Sequence, residues 1–106
     1  MRESLNHYFD YLQHEKRLSV HTVSAYRSDL AQFLAFVEKT KSGATGPDAV
    51  DKILVRRYLA DIAGERYKKS SLGRKLTAVK SFFRYLCNTG KLAVNPAAAI
   101  ATPKKE

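Results

Sequence analysis

The chain has 106 residues, enough for one domain with a single modest core. Its 44% hydrophobic and 27% charged content is that of a folded globular chain and excludes disorder as the default. A net charge of +9 is the unusual figure, and it points to an anionic partner: nucleic acid, an acidic membrane surface or an acidic protein.

The first segment, ESLNHYFDYLQHEK, places Leu5, Tyr8, Phe9 and Leu12 on one helical face with no Gly or Pro to interrupt it. His7, His14 and His21 recur every seven residues, which sets them about 10 Å apart along a helix. No cysteine or carboxylate completes a ligand set with them, so a metal site is rejected and no cofactor is expected. A second helix starts at Leu18-Ser19, with Ser19 as N-cap, and runs unbroken through VHTVSAYRSDLAQFLAFVEKT. Val23, Tyr26, Leu30, Phe33, Leu34 and Val37 form its apolar stripe, while His21, Thr22, Ala25, Ser28 and Gln32 lie on or beside the other side. Its polar, short-chained first turn follows Lys16 and Arg17. That arrangement suits either an amide terminus set against phosphate or plain capping and solvation.

The stretch KSGATGPDAV is the clearest break and reads as a surface loop. A third helix, capped by Asp51, turns Val55, Tyr58, Leu59 and Ile62 inward, leaves Arg56, Arg57 and Asp61 solvated, and stops at Gly64. A basic connection, GERYKK, leads into a fourth helix over Ser70–Asn88. There Leu72, Leu76, Val79, Phe83 and Leu86 make the apolar stripe, and the opposite face carries Ser70, Ser71, Arg74, Ala78 and Ser81. Such a face either is solvated or presents small residues and a cationic fork to a groove. Asn88-Thr89-Gly90 is a helix stop with Gly at C′, and Asn95-Pro96 opens a short helical turn before a basic tail, ATPKKE. The fold class is all-α, a bundle of four main helices with a short C-terminal helical turn.

Residues 65–106 carry ten Lys/Arg against two Asp/Glu, so nearly all the excess charge is clustered there, as in a nucleic-acid binder. The lone Cys87 cannot form an internal disulfide and reads as a small core or boundary residue. No run is long enough to span a bilayer and no apolar leader is present, so the expected location is cytoplasmic, with no membrane partner.

Three stretches carry a family resemblance. SVHTVSAYRSDLAQFLAF resembles the S-x-x-T-x-x-x-Y-x-x-D-L-x-x-F signature of tyrosine recombinases of the phage-integrase and Xer type. SLGRKLTAVKSFFRYL is similar to the same family's S-x-x-R-K-L-S-A-L-R-S-F-[FY]-x-Y-L, and LAVNPAAAIATPKK to its exit toward a catalytic domain. The three occur in order and together span nearly the whole chain. Thr77 stands where Ser is usual, and Val79 and Lys80 where Leu and Arg are common.

The resemblance implies a core-binding, SAM-like domain over residues 1–102, with 103–106 beginning a linker. It implies one half of a clamp on a recombination half-site, the second and fourth helices crossing the major groove of double-stranded DNA. Other recombinase protomers would be partners in a synaptic tetramer, the isolated domain being a monomer. By position, Thr22 and Arg27 fall in the backbone-contacting part, and Ser71, Arg74, Lys75, Thr77 and Lys80 in the groove-facing part. On this reading Lys68, Lys69, Lys75, Lys80 and the second helix's first turn, with His21 and Thr22, meet phosphate. Arg74, Ser70, Ser71 and Thr77 stand at or near base edges. The family's tyrosine nucleophile and its partners belong to a second domain, no H-x-x-R motif is present, and the chain alone is expected to have no catalytic residue or strand-transfer activity. The alternative is a helical interaction module whose basic face docks an acidic protein.

Overall fold

The computed structural model describes residues 1–41, 46–65 and 67–101. Four helices carry it: α1 (Arg2–Asp10), α2 (Val20–Lys41), α3 (Lys52–Ala63) and α4 (Lys69–Asn88). No strand occurs among the described residues, and the all-α bundle expected from the periodicity is the observed fold.

The helix limits follow from chemistry within a few residues of each end. Ser19 caps α2, its Oγ accepting from the Thr22 amide at 3.2 Å. Asp51 caps α3 in the same way, with Oδ1 accepting from the Leu54 amide at 2.8 Å. At the end of α4 the Lys91 amide donates to the Leu86 carbonyl at 2.8 Å and Gly90 to Cys87 at 3.1 Å. That pair of bonds is a Schellman motif, and it requires the left-handed φ of +77° that Gly90 adopts. The Thr89 hydroxyl adds a bond to the Tyr85 carbonyl at 3.0 Å.

α1 does not end at Asp10 but widens into a π-helical turn over Tyr11–Glu15, closed by the Lys16 amide on the Tyr11 carbonyl at 3.0 Å. Arg17 then takes a left-handed φ of +52°, and the Leu18 amide returns to the Leu12 carbonyl at 3.1 Å. The chain thereby reverses into α2 within four residues.

α4 packs against α1, α2 and α3 alike. For that reason its buried arc is wider than one stripe: Ala78 and Phe82 are both fully buried beside Leu72, Leu76, Val79, Phe83 and Leu86. The expectation that Ala78 lies on the outward face is therefore corrected. Aromatic rings join the layers. Phe33 of α2 meets Tyr58 of α3 edge-on at 5.0 Å and Phe83 of α4 at 6.1 Å, while Tyr8 of α1 meets Phe82 at 5.5 Å and Tyr85 at 5.2 Å. Rings so placed add about 0.5–1.5 kcal/mol per pair beyond their buried area.

Beyond α4, Asn95 fixes the exit. Its Oδ1 accepts from the Ala97 amide at 2.9 Å and its Nδ2 donates to the Lys80 carbonyl at 3.2 Å. Residues Pro96–Ile100 make hydrogen-bonded turns that bury Ala97 and Ile100 against the core. The basic tail from residue 102 onward, including the expected linker, lies outside the described residues, as do positions 42–45 of the loop and Arg66 of the α3–α4 connection.

Candidate nucleic-acid interface

The seam between α2 and α4 organises the charged surface. Asp29, on the arc of α2 that also carries Tyr26 and Phe33, is 1% exposed. A carboxylate buried so deeply needs compensation, and α4 supplies it twice. Arg74 donates from Nε to Oδ2 at 2.9 Å and from Nη2 to Oδ1 at 3.1 Å, a bidentate pair. Lys75 donates from Nζ to Oδ1 at 3.0 Å. The hydrogen bond to Asp29, followed by its charge, raises the Arg74 pKa further, so the guanidinium is permanently cationic.

The pairings also fix how the two helices meet. Gln32 Nε2 donates to the Tyr67 hydroxyl at 3.0 Å, just ahead of α4; Asp29 meets Arg74; Tyr26 lines a cleft with Ser81. Yet Phe33, one turn past Asp29, meets Phe83, nine residues past Arg74, so the two helices cross and do not run side by side. The approach to α2, Lys16 and Leu18, shares that cleft with Arg84, Tyr85 and Asn88 near the end of α4.

The expected site residues fall into separate groups on this frame. Lys68, Lys69 and Ser70 are exposed at the N-terminal end of α4, with Ser71 half-buried behind them. No described side chain caps this end, leaving its first amides open to an anion. Arg74 spends two donors on Asp29 and keeps half of its side chain exposed, beside the exposed Thr77. His21 and Thr22 are exposed at the opposite end, the Thr22 hydroxyl sharing a 2.9 Å hydrogen bond with Ser19. Lys80 is half-buried on the other flank of α4, where its carbonyl holds Asn95.

Two residues lie apart from that surface. Lys75 is 7% exposed, with its ammonium on Asp29 and 4.8 Å from the Tyr67 ring centroid. Arg27 points to the α1 side of α2, its guanidinium 4.8 Å above the Phe9 ring. The sequence reading missed Asp29 itself. Its signal was a carboxylate at three- and four-residue spacing from Tyr26 and Phe33, inside an apolar stripe.

The three histidines, His7, His14 and His21, are exposed. Among the described residues no group of three His, Cys, Asp or Glu side chains could hold a metal ion, and no helix is long and apolar enough to cross a membrane.

Residues 5–90 match the family described as phage integrase, N-terminal SAM-like domain. The chain belongs to that family. It is 48% identical to a tyrosine recombinase XerC of Pelobacter propionicus over 96 residues, which cover 91% of this chain and 32% of that protein. It is 35% identical to the XerC of Chlorobaculum tepidum over 106 residues (96% and 32% of the two chains). With the XerC of Syntrophus aciditrophicus it shares 34% over 111 residues (100% and 36%). The chain thus spans about a third of the length of the curated relatives it matches. No solved structure matches it.

Proposed function

We propose that the chain is the DNA-binding, core-binding domain of a site-specific tyrosine recombinase, and that α2 and α4 together straddle the major groove of a recombination half-site. The observation that carries this reading is the α2–α4 seam fastened on Asp29. It bears cations and open amides at one end, Lys68 and Lys69, and a second basic end at Lys16 and Arg17. Between them stand an arginine and short hydroxyl side chains, Arg74, Ser70 and Thr77. Two basic ends suit the walls of a groove about 12 Å wide, with small polar residues between them free to approach its floor.

In this reading Lys68, Lys69 and the α4 amides hold one phosphate strand, and His21, Thr22 and the start of α2 the other. Lys80 adds charge from the flank. Ser71 packs behind the contact row, Arg74 reads acceptors with the donors Asp29 leaves free, and Lys75 holds the seam. Arg27 supports the α1 side. The resemblance to XerC supports a role in DNA recombination, with strand transfer residing outside these residues and other recombinase protomers completing the assembly.

The test is binding to a short duplex, to RNA and to heparin at two salt concentrations. With four to six phosphates neutralised, affinity for duplex falls by roughly 10²–10³ between 50 and 200 mM salt, and duplex outcompetes the other two. Flat affinity across that range, or equal preference for any polyanion, would refute the reading and favour an acidic protein partner. The exposed large apolar residues Val20, Ile53, Tyr67 and Val94, which such a partner would use, belong to four different stretches of chain.

A further inference from the structure

A cleft of about 290 Å³ opens where the π turn, the start of α2 and the C-terminal half of α4 meet. Lys16 and Arg84, both exposed, stand on it, and no carboxylate lines it. The larger groove nearby, about 520 Å³, differs in kind, since Asp10 and Glu15 line it. Hydroxyls complete the smaller cleft: Tyr26 from α2, Ser81 from α4, and the buried Tyr8 beneath them. Burial first, then the neighbouring Tyr26, holds the Tyr8 hydroxyl protonated far above the ordinary tyrosine range, so it remains a neutral hydrogen-bonding group.

Two backbone irregularities build this place. The π turn carries Tyr11 and Leu12 into the wall, and the left-handed Arg17 sits between Lys16 and Leu18, both of which line the cleft. A bulky residue at positive φ stores strain of order 1–3 kcal/mol, which the surrounding structure has to sustain. Lining by two cations and several hydroxyls is the chemistry that holds a phosphate oxygen. The volume lies at the lower edge of organic-ligand pockets, which suits one small anion with water better than a cofactor.

We infer that this cleft seats a phosphate-type anion, a backbone phosphodiester of the bound duplex, between Lys16 and Arg84. The inference rests on the proposed function for the source of the anion, but not for the site. Ser81 and Arg84 repeat, one heptad on, the positions of Arg74 and Thr77, so the cleft continues the contact row of α4 toward the first turn of α2. Arg84 is not among the residues that the sequence sets against DNA, and Lys16, there a cation ahead of α2, shares a phosphate seat with it here.

The test compares the 106-residue chain with Lys16→Gln/Arg84→Gln and with Lys52→Gln, an exposed cation on α3, in duplex binding across a salt series. The cleft variant shows a plot of log affinity against log salt shallower by about 0.9, the share of one phosphate, while Lys52→Gln matches the parent. Parent-like slope in the cleft variant overturns the site but leaves the α2–α4 reading standing. If the parent binds no duplex, that reading fails, and inorganic phosphate decides the cleft. Saturable amide shifts at Tyr26, Ser81 and Arg84 that the variant lacks uphold an anion seat; absence of such shifts overturns it.

Discussion

Asp29 and Arg74 face each other across 45 residues of sequence, joined by hydrogen bonds of 2.9 and 3.1 Å to both carboxylate oxygens. With Lys75 on the same carboxylate, two cations of α4 surround one buried anion of α2. The arrangement does two things at once. It fixes the relative height of the two helices, and it holds one edge of the Arg74 guanidinium so that the other edge is presented without further ordering.

Removing the carboxylate therefore costs stability out of proportion to one contact. Asp29→Asn leaves the Lys75 ammonium buried without its counter-charge, and such a loss is worth about 3–5 kcal/mol. Urea unfolding measures it. Replacing the two buried partners with apolar residues, Asp29→Leu with Lys75→Met, recovers much of the deficit, since the only charge then unpaired, Arg74, is half exposed and turns to solvent. Equal losses in the single and double variants would contradict the account.

Arg74→Ala separates binding from folding. Lys75 still satisfies Asp29 in this variant, and half of the lost side chain was exposed, so the fold persists. Duplex affinity falls by about 1–3 kcal/mol if the free edge reads a base. Anisotropy titration beside a thermal melt distinguishes the two effects.

Tyr58 offers a test in the opposite direction. Its hydroxyl is buried and finds no hydrogen-bond partner among the described residues. An unsatisfied buried hydroxyl costs about 1–3 kcal/mol, so Tyr58→Phe is neutral or stabilising. A marked loss in urea unfolding would mean that the hydroxyl is bonded.

The same residue gives a pH dependence. Burial, with the nearby Asp29 charge, raises the Tyr58 pKa well above that of an unfolded tyrosine, and burial does the same for Tyr8. A folded pKa above the unfolded one means that the folded state holds more protons. The stability is complete below about pH 10 and is lost as pH rises beyond it. Each of the two tyrosines steepens the decline by up to about 1.4 kcal/mol per pH unit, and Tyr58→Phe removes one share. Denaturant midpoints between pH 9 and 11.5 measure it.

Gly90→Ala tests the end of α4. Space is available for the added methyl, with nothing within 4 Å, but φ is +77°. Left-handed backbone costs a non-glycine residue about 1–2 kcal/mol, and that is the expected loss in thermal or urea unfolding.

The parts of this fold legible in sequence are those decided within a few residues. Ser19, Asp51 and Gly90 act on amides or carbonyls at most a turn or so away, so the chain carries their rule locally. Leu5, Tyr8, Phe9 and Leu12 likewise reveal their shared burial by spacing alone. Partner choice is not local. Nothing beside Asp29 says that Arg74 and Lys75 will reach it, and Lys75 therefore read as a free cation. A single apolar stripe sets Ala78 outward, whereas α4 has three neighbours and buries it. The π turn left no mark at all: an apolar pattern broken by one extra residue over Tyr11–Glu15 still reads as helix. The cleft it helps to form was invisible for the same reason.

The most direct test of the central claim is an amide-shift titration of the isotope-labelled chain with a short palindromic duplex at two salt concentrations. The account predicts shifts at 19–22, 68–77 and 81–84, weakening together as salt rises, with α3 silent. Shifts confined to α3 or to the α1 side of α2, or none at low salt, would contradict it and return the basic face to solvent or to a protein partner.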